Sequence, residues 1–360
     1  MDKRAKILVA GASGLVGSAI VRRLRRDGYT NLILPSSKEV DLTRQIEVEE
    51  YFKKEQPEYV FLAAAKVGGI LANMRYPADF IYINTSIATN VIHSAYLYDV
   101  KKLINLGSSC IYPKLAPQPI VEEALLSSPL EETNEPYAIA KILAIKLCSA
   151  YNRQYGTNFI SVMPTNLYGQ GDNFNMETAH LLPMLIRRFH LAKLLELEQW
   201  NAIIEDLQRY PIGWGYSVSQ DITRDELLSI LSHLGVHKEH VVVWGDGSVY
   251  RELMNSDDMA DACIYLMKHK DAKEIGDCVN ITSGEDILLR DLFSLVQEIV
   301  GFSGEIRFDT TKPNGTPRKR MSADKINSLG WSTTMNIAKG IEEFYSWYVQ
   351  SDRGIEIFSE

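Results

Sequence analysis

A glycine-rich turn near the N-terminus constrains the fold more than any other feature of the chain. An apolar run, Lys6-Ile7-Leu8-Val9-Ala10, leads directly into the turn Gly11-Ala12-Ser13-Gly14-Leu15-Val16-Gly17. A helical pattern of apolar residues follows as far as Gly28. Glycines let the backbone approach a diphosphate, and the N-terminus of the next helix faces that anion. The order of strand, glycine turn and helix therefore predicts dinucleotide binding, although the glycine spacing alone is a weak signal.

Strand-like apolar runs alternate with helical patterns through the first half of the chain. Helical patterns at 46–54 and 79–98 separate strand-like runs at 31–34, 59–65 and 102–106. This alternation predicts an α/β protein with a doubly wound parallel sheet. The run at 59–65 ends in Ala63, Ala64 and Ala65, whose small side chains would let a cofactor pass close to the backbone.

The loop after the second strand bears on the choice between NAD and NADP. It contains Ser36, Ser37 and Lys38, and no acidic residue stands where NAD enzymes bind the ribose 2′-hydroxyl. Hydroxyls and an ammonium favour a 2′-phosphate, so we expect NADPH; a solvated loop is the alternative for Lys38. The next residues, Asp41 and Leu42, lie where an adenine-contacting acid often occurs in such folds.

A tyrosine and a lysine four residues apart form a candidate acid–base pair. Pro136 suits the first turn of a helix, so Tyr137 and Lys141 should lie on one helix face. A neighbouring ammonium lowers the pKa of a phenol toward neutrality, where a general acid works best. A chance pair on a solvated face is the alternative. The preceding Ser108 and Cys110, at an expected strand end, favour a site because they add a hydroxyl donor and a thiol.

Composition and charge exclude several classes of protein. A formal net charge of -8 over 360 residues argues against non-specific binding to nucleic acid, because such surfaces are normally basic. No apolar run approaches membrane-spanning length, and no signal-peptide pattern begins the chain, so we expect a cytoplasmic protein. Four cysteines without CxxC spacing do not indicate a disulfide framework. Three histidines, at 233, 237 and 240, lack further ligands nearby, so no metal is expected.

Several longer segments carry a more specific resemblance. The chain resembles the extended short-chain dehydrogenase/reductase superfamily and, within it, the family of GDP-L-fucose synthases. The resemblance covers almost the whole chain outside one insertion and rests on Ala63-Ala64-Ala65-Lys66-Val67-Gly68-Gly69-Ile70, residues 107–113, 133–141 and 163–169, Arg187-Arg188-Phe189-His190, Val242-Val243-Trp244-Gly245 and Gly315-Thr316-Pro317-Arg318-Lys319. It implies a Rossmann-type domain that binds NADPH, a smaller α/β domain that binds a GDP-sugar, and a homodimer.

The resemblance also implies roles for individual residues. Ser108, Tyr137 and Lys141 would form the reductase triad, and Cys110 and His180 would be the acid–base pair for epimerisation. Besides the glycine turn, NADPH would be lined by Leu106, Gly107, Ser108, Ser109, Tyr137, Lys141, Pro164, Thr165, Asn166, Leu167 and His180. The GDP-sugar would contact Ser109, Asn134, Asn166, Leu181, Arg188, Trp244, Arg251, Asn314 and Lys319.

This set of residues implies one site for two reactions. A keto group at carbon 4 of a sugar acidifies the protons on carbons 3 and 5, so a Cys110 thiolate could remove a proton that His180 returns to the opposite face. Ser108 and Tyr137 would hydrogen-bond the carbonyl oxygen during hydride transfer from NADPH. The expected reaction converts GDP-4-keto-6-deoxy-D-mannose to GDP-L-fucose. The alternatives are carbon-4 reduction of a GDP-4-keto-6-deoxy-heptose, with or without epimerisation, and a non-catalytic NADPH-binding scaffold.

The sequence patterns and the resemblance together predict domain boundaries and one insertion. We expect an NADP-binding domain over residues 1–170, to which later segments return, a sugar-nucleotide domain over 171–330, and a C-terminal helix and tail over 331–360. Residues 191–240 indicate an inserted helical subdomain, with a helix across 195–200 and a capping pattern at 223–234. This insertion, Met254-Asn255-Ser256 and Asn314 depart from the family pattern and leave the sugar open.

Two features of the sequence, a tryptophan and a basic loop, each allow two interpretations. Trp244 could pack in the core or offer a flat surface to a base. The basic loop Lys312-Pro313-Asn314-Gly315-Thr316-Pro317-Arg318-Lys319-Arg320 could be solvated charge or a clamp for a diphosphate.

Overall fold

The computed structural model describes residues 1–312, 314 and 317–352. Its strands are β1 (Ile7–Ala10), β2 (Leu32–Ile33), β3 (Tyr59–Leu62), β4 (Lys102–Leu106), β5 (Phe159–Pro164), β6 (Asn166–Tyr168), β7 (His240–Trp244), β8 (Tyr250–Arg251), β9 (Leu253–Asn255), β10 (Val279–Ile281), β11 (Ile287–Leu288) and β12 (Glu305–Asp309). Its helices are α1 (Leu15–Arg26), α2 (Gln45–Glu55), α3 (Ile70–Arg75), α4 (Pro77–Leu97), α5 (Glu135–Tyr155), α6 (Leu181–Glu196), α7 (Trp200–Arg209), α8 (Arg224–His233), α9 (Ser256–His269), α10 (Ala272–Ile275), α11 (Leu289–Val300), α12 (Asp324–Ser328) and α13 (Ile337–Asp352).

The chain divides into two compact units. Unit 1 contains residues 1–167, 254–285 and 320–335, and unit 2 contains residues 168–253, 286–319 and 336–360. Of the segments discussed above, Pro313, Gly315, Thr316 and the tail at 353–360 lie outside the described residues. Within the described part of the chain, no helix is long and apolar enough to cross a membrane.

Unit 1 is built on a six-stranded sheet with the order β10-β5-β4-β3-β1-β2. Every neighbouring pair of these strands is parallel, which confirms the predicted doubly wound α/β fold. Alternate strand residues face opposite layers because side chains alternate along a strand. Helices α1 and α9 bury one face of the sheet, and α2, α4 and α5 bury the other. The carboxyl ends of β1, β3, β4 and β5 consequently share one edge.

Residues 191–240, predicted to be an inserted helical subdomain, pack against other segments of unit 2. Apolar side chains of α7 and α8, such as Ile203 and Leu231, share one hydrophobic core with Phe293 of α11 and Phe344 of α13. The apolar faces of α7 and α8 are therefore buried in the common core of unit 2 rather than in a core of their own.

The helix predicted across 195–200 is also wrong. Helix α6 ends at Glu196, and α7 begins at Trp200. Glu198 between them has a left-handed φ of 55°. The apolar spacing that indicated one helix comes from the end of one helix and the start of the next. The capping pattern is confirmed, because Thr223 and Glu226 form a reciprocal capping box at the start of α8.

A buried ion pair joins several segments of unit 2. Arg187 and Asp206 have fully buried side chains, and Nε of Arg187 lies 2.9 Å from Oδ1 of Asp206. The same guanidinium donates to the carbonyl oxygens of Phe174 at 2.7 Å and of Pro211 at 2.9 Å. Asp206 also accepts a hydrogen bond from the hydroxyl of Tyr348 on α13. One ion pair thus connects α6, α7, α13 and two loops.

Replacing Arg187 by Met should lower the free energy of unfolding of unit 2 by about 3–5 kcal/mol, because the Asp206 carboxylate would remain buried without its partner. Urea unfolding followed by tryptophan fluorescence measures this change. Trp200, Trp214, Trp244 and Trp347 all lie in unit 2, so the signal reports mainly on that unit. The control is Lys238→Met, whose pair with Glu198 is solvent-exposed and should contribute at most about 1 kcal/mol. Equal losses from the two substitutions would contradict the prediction.

Candidate active site

The predicted glycine turn brings the ends of β1 and β3 into close contact. Gly11 has a φ of +84°, and a Cβ there would lie 2.7 Å from the backbone nitrogen of Ala64. A Cβ on Gly17 would lie 2.0 Å from the carbonyl oxygen of Gly11. Both positions therefore require glycine. The strand order reverses between β1 and β3, and ligands of doubly wound sheets bind at such a reversal.

The N-terminus of α1 fits an anionic group. Gly14 is its N-cap and no side chain among the described residues caps it, so the first N–H groups of the helix have no acceptor from a capping side chain. A Cβ on Gly14 would contact only the carbonyl oxygen of Gly11, at 3.5 Å, which leaves open space in front of the helix. The turn therefore fits a dinucleotide diphosphate.

The loop after β2 keeps the residues predicted for the 2′-phosphate accessible. Ser36, Ser37 and Lys38 are all exposed. The carboxylate of Asp41 instead accepts hydrogen bonds from the backbone N–H of Thr43 at 2.9 Å and from its hydroxyl at 2.7 Å. These hydrogen bonds lower the pKa of Asp41. The contact of Asp41 with adenine stays a prediction.

Four predicted catalytic residues lie together in unit 1. Tyr137 and Lys141 share one face of α5, with Nζ of Lys141 5.7 Å from the centre of the tyrosine ring. Nζ of Lys141 also donates to the carbonyl oxygen of Leu106 at 2.7 Å, which ties α5 to the end of β4. The chain then forms a short 3₁₀ turn over Ser109–Ile111, in which the Ser108 hydroxyl accepts from the backbone N–H of Cys110 at 3.3 Å.

The predicted effect of Lys141 on the pKa of Tyr137 is wrong. Burial raises the pKa of Tyr137 above its ordinary value of 10, and the charge of Cys110 raises it further. Burial also lowers the pKa of Lys141 to about 8, with Cys110 acting in the opposite direction. Loss of hydration is the largest cause of both shifts. A raised pKa keeps the proton on Tyr137, as a proton donor requires.

Two residues of α4 that sequence analysis missed support this part of the site. Oδ1 of Asn84 accepts from the backbone N–H of Lys66 at 2.8 Å, and its Nδ2 donates to the carbonyl of Lys66 at 3.0 Å. Phe80 meets the ring of Tyr137 edge-on, with the ring centres 6.2 Å apart. Helix α4 thus fixes both the loop after Ala65 and the proton donor. The available signal was an amide side chain within a mostly apolar helical pattern.

Two adjacent arginines of unit 2 differ sharply in their partners. Arg187 is saturated by hydrogen bonds, whereas Arg188, only 6% exposed, donates from Nη1 to the carbonyl of Val242 at 3.2 Å. Among the described residues, Nε of Arg188 has no hydrogen-bond partner. Burial lowers the pKa of Arg188 to about 10. A buried guanidinium that no described carboxylate neutralises is suited to an anionic ligand such as a phosphate.

The core-packing interpretation of Trp244 is wrong. Its side chain ends β7 and is 54% exposed, with Nζ of Lys312 5.6 Å from the ring centre. An exposed indole can stack on a nucleotide base. In the same unit, Oδ1 of Asn314 accepts from the backbone N–H of Asp246 at 2.9 Å and supports the turn after β7. Arg318 of the basic loop pairs with Asp286, with Nη2 2.8 Å from Oδ1.

The remaining predicted residues are distributed between the two units. In unit 2, His180 is the N-cap of α6, and desolvation lowers the pKa of its imidazole below the ordinary 6.5 although the side chain keeps an exposed surface. Leu181 packs against the core of that unit, and burial lowers the pKa of Arg251. In unit 1, Oδ1 of Asn134 is buried without a partner among the described residues. Further predicted positions in unit 1 are Ser109, Pro164, Thr165, Asn166 and Leu167, and Lys319 is the last residue of its segment in unit 2.

Comparison with known proteins agrees with this arrangement. Residues 7–209 and 215–282 match the model of the NAD dependent epimerase/dehydratase family. The chain belongs to that family. This membership confirms the superfamily resemblance seen in the sequence, and among the described residues the family's glycine turn and Tyr–Lys pair both lie in unit 1.

Three similar proteins have more specific names than the family model. GDP-L-fucose synthase 1 of Arabidopsis thaliana is 51% identical over 350 residues, which cover 97% of this chain and 95% of the relative. A GDP-6-OMe-4-keto-L-xylo-heptose reductase from C. jejuni is 39% identical with a TM-score of 0.90, and the match covers 98% of this chain and 99% of that one. A GDP-mannoheptose C4 reductase from Campylobacter jejuni, solved with NADP bound, is 40% identical with a TM-score of 0.87 and coverage of 97% and 99%.

The open space at Gly14 gives a test of the cofactor cradle. Gly14→Ala should weaken NADPH binding by roughly tenfold, equivalent to about 1.4 kcal/mol, because the added methyl occupies the space in front of α1. The fold should be unaffected, since Gly14 has a φ of -80° that alanine adopts freely. Fluorescence titration with NADPH and thermal unfolding measure the two effects.

The control for this substitution is Gly156→Ala at the C-terminus of α5. Gly156 has a φ of +70° with no atom near its added Cβ, so this variant should lose stability but keep its NADPH affinity. An unchanged affinity in Gly14→Ala would show that the diphosphate binds elsewhere.

Proposed function

We propose that this protein is an NADPH-dependent epimerase-reductase that converts GDP-4-keto-6-deoxy-D-mannose to GDP-L-fucose. The observation that carries the proposal is the position of Cys110 in the 3₁₀ turn after β4, which packs against α5, the helix of Tyr137 and Lys141. A thiol beside a reductase Tyr–Lys pair joins a proton-abstracting group to a proton-donating one. The similarity to named GDP-L-fucose synthases over nearly the full chain supports the same reaction.

Epimerisation uses the acidity of the protons next to the keto group. Cys110, as the thiolate, removes a proton from carbon 3 or carbon 5, and the electron pair moves onto the carbonyl oxygen as an enolate. Hydrogen bonds from Ser108 and Tyr137 stabilise that oxygen. His180 then returns a proton to the opposite face, which inverts the carbon. The C–H bond broken and the C–H bond formed balance, so no net redox change occurs.

Reduction follows at carbon 4 of the same sugar. NADPH, held by the glycine turn, supplies the hydride for this step. Tyr137 donates its proton to the oxygen as the carbonyl becomes a hydroxyl. Lys141, tied to the carbonyl of Leu106, is held beside the phenol ring and offsets the negative charge that Tyr137 acquires. The raised pKa of Tyr137 keeps the donor protonated until that step.

The GDP part of the substrate is assigned to residues of unit 2. Arg188 supplies a buried positive charge for the diphosphate, and the exposed ring of Trp244 stacks on the guanine base. Strand β7 relates the two, because Arg188 donates to Val242 and Trp244 follows two residues later on the same face of the strand. We place the enzyme in the cytoplasm, where it supplies a GDP-sugar for polysaccharide synthesis.

A second candidate is carbon-4 reduction of a GDP-4-keto-6-deoxy-heptose. It is favoured by solved structures of a GDP-6-OMe-4-keto-L-xylo-heptose reductase, a GDP-D-glycero-L-gluco-heptose synthase and a GDP-mannoheptose C4 reductase, at 39–40% identity and TM-scores of 0.87–0.90. The two candidates share NADPH, Tyr137 and Lys141, and they differ in the sugar. The second candidate needs Cys110 and His180 only where the heptose is also epimerised.

Turnover in heavy water separates the two candidates. With GDP-4-keto-6-deoxy-D-mannose and NADPH, deuterium should appear at carbons 3 and 5 of a GDP-fucose product examined by mass spectrometry and NMR. Tyr137→Phe should abolish reduction yet leave NADPH binding nearly unchanged. Cys110→Ser should suppress deuterium incorporation more than reduction of an already epimerised keto sugar. NADPH oxidation without incorporation would identify a plain ketoreductase, and no oxidation would direct the assay to the keto-heptoses.

The difference between the two arginines of α6 gives a binding test. Arg188→Met should raise the KM for the GDP-sugar at least about tenfold, a loss of roughly 1.4 kcal/mol, because the diphosphate loses its buried counter-charge. The free energy of unfolding should not fall, since a buried guanidinium without a carboxylate partner costs desolvation energy. Steady-state kinetics and urea unfolding measure both quantities. A stability loss as large as that of Arg187→Met would make Arg188 a structural residue.

We also propose a homodimer formed through α4 and α5. These two helices pack on each other, and they expose large apolar side chains at Tyr82, Leu97, Ile139 and Tyr155. Sedimentation velocity should show a dimer for the native chain and a monomer for Tyr82→Glu, because a buried carboxylate without a partner opposes association. The matched control is Leu228→Glu on α8, which should stay dimeric. A monomeric native chain would refute the proposal.

A further inference from the structure

The 3₁₀ turn that carries Cys110 is weakly held by its own hydrogen bonds. The backbone N–H groups of Cys110, Ile111 and Tyr112 donate to Ser108 or Ser109 at 3.3 Å in each case. Backbone hydrogen bonds normally measure about 2.9–3.0 Å, and 3₁₀ turns have poorer geometry than α-helices. The anchors of the residues on either side therefore contribute to the position of Cys110.

The anchor on the N-terminal side holds Ser108 rather than Cys110. Gly107, directly before Ser108, donates its backbone N–H to the carbonyl of Val162 on β5 at 2.8 Å. Lys141 fixes the carbonyl of Leu106 from the other direction. Ser108 thus follows a strand end that is secured independently of the turn.

The anchor on the C-terminal side is Tyr112, two residues after Cys110. Its side chain is 1% exposed, and its hydroxyl donates to Oδ1 of Asn280 on β10 at 2.5 Å. Burial raises the pKa of Tyr112, so the hydroxyl keeps the proton that it donates. Tyr112 and Cys278 also belong to one small hydrophobic cluster. Tyr112 therefore ties the turn to the edge strand of the sheet.

Asn280 is held in place from two further directions. Its Nδ2 donates to the carbonyl of Ile120 at 3.1 Å, and its backbone N–H donates to Oε1 of Glu122 at 2.8 Å. These contacts fix which end of the amide faces Tyr112, because Nδ2 is committed to a carbonyl and only Oδ1 can accept. The segment that contains Ile120 is itself paired with Met321. The acceptor for Tyr112 is thus rigid.

The same residues connect the turn to the helix of the Tyr–Lys pair. Ile111 and Tyr112 belong to a small hydrophobic cluster with Ile142 and Ile145 of α5 and Met163 of β5. The apolar contacts set how closely the turn approaches α5. The Tyr112–Asn280 hydrogen bond adds the directional restraint that packing alone does not supply.

We infer that Tyr112, held by Asn280, is a positioning residue for Cys110, so that the hydrogen bond between them controls proton transfer by Cys110 more than hydride transfer at carbon 4. This inference rests on the proposed function, which assigns the proton transfer to Cys110. Ser108, Tyr137 and Lys141 keep their own anchors when the hydrogen bond is lost. Neither Tyr112 nor Asn280 needs to touch the substrate.

The test compares Tyr112→Phe with a matched control, Tyr265→Phe. Tyr265 also lies in unit 1 and donates its hydroxyl to a backbone carbonyl, that of Leu329 at 2.9 Å, but it has no contact with the turn. Tyr112→Phe should lower deuterium incorporation at carbons 3 and 5, measured without NADPH, by about 10- to 100-fold, as expected when a reacting group is misplaced by about 1 Å. Reduction of an already epimerised keto sugar should change by less than about threefold. Tyr265→Phe should alter neither rate.

Asn280→Ala breaks the same hydrogen bond from the other side. Its effect on deuterium incorporation should be at least as large as that of Tyr112→Phe, because Asn280→Ala also removes the hydrogen bond from Nδ2 to Ile120. The double variant should be no worse than Asn280→Ala alone, because the Tyr112–Asn280 hydrogen bond is already lost there. Equal losses of incorporation and reduction, or unchanged incorporation in a folded Tyr112→Phe protein, would overturn the inference.

Alkylation of Cys110 by iodoacetamide tests, in the absence of substrate, whether the Tyr112–Asn280 hydrogen bond restrains the turn. Cys110 is 9% exposed and the other three cysteines are at most 1% exposed, so peptide mass spectrometry can follow it separately. A loosened turn exposes the thiol, and its alkylation rate should rise by about threefold or more in Tyr112→Phe and Asn280→Ala but not in Tyr265→Phe. An unchanged rate would overturn the inference. A native enzyme that incorporates no deuterium would instead refute the proposed epimerisation. The alkylation rates would still decide whether the Tyr112–Asn280 hydrogen bond holds Cys110 in place.

Discussion

The parallel pairing of six strands is the constraint on which unit 1 depends. Parallel strands put all their carboxyl ends at one edge of the sheet, and each must be followed by a crossover that returns the chain to the opposite edge. The glycine turn after β1, the small residues after β3 and the 3₁₀ turn after β4 therefore lie at one edge. Lys141 reinforces this arrangement because its ammonium reaches from α5 to the last carbonyl of β4. The chemistry occurs where the sheet leaves backbone groups free to bind ligands.

Unit 2 is organised in a different way, around charge rather than strand pairing. The Arg187–Asp206 pair joins three helices through one set of hydrogen bonds, and its neighbour Arg188 is buried with far fewer contacts. Consecutive helix residues point about 100° apart, so one arginine can serve the core while the next faces a different environment. The first arginine is held by hydrogen bonds to three segments, and the second is the one that we propose for ligand binding. The segment 191–240 belongs to the same core and supports both arginines.

Sequence analysis predicted unit 1 well because its signals are local. Gly11 and Gly17 are required by contacts within a few residues or with the adjacent strand, and Pro136 marks the start of α5. It failed where the outcome depends on long-range packing. Periodicity could not show that residues 195–200 bridge two helices, and residue type could not show that burial would raise rather than lower the pKa of Tyr137. The hydrogen bonds between Asn84 and Lys66 join residues 18 apart in sequence, and the single amide in an apolar helical pattern does not show which residue it contacts.

The partner of Tyr112 has a consequence for the order in which the enzyme is completed during synthesis. The first 167 residues contain five of the six strands of the sheet, together with Cys110, Tyr137 and Lys141. The sixth strand, β10, pairs with β5 and carries Asn280, but the ribosome makes it only after most of unit 2. The ribosome thus makes the glycine turn early and Asn280, the hydrogen-bond acceptor for Tyr112, late. The growing polypeptide therefore lacks the acceptor for Tyr112 until β10 is synthesised, and the restraint on the turn of Cys110 is among the later contacts of unit 1 to form.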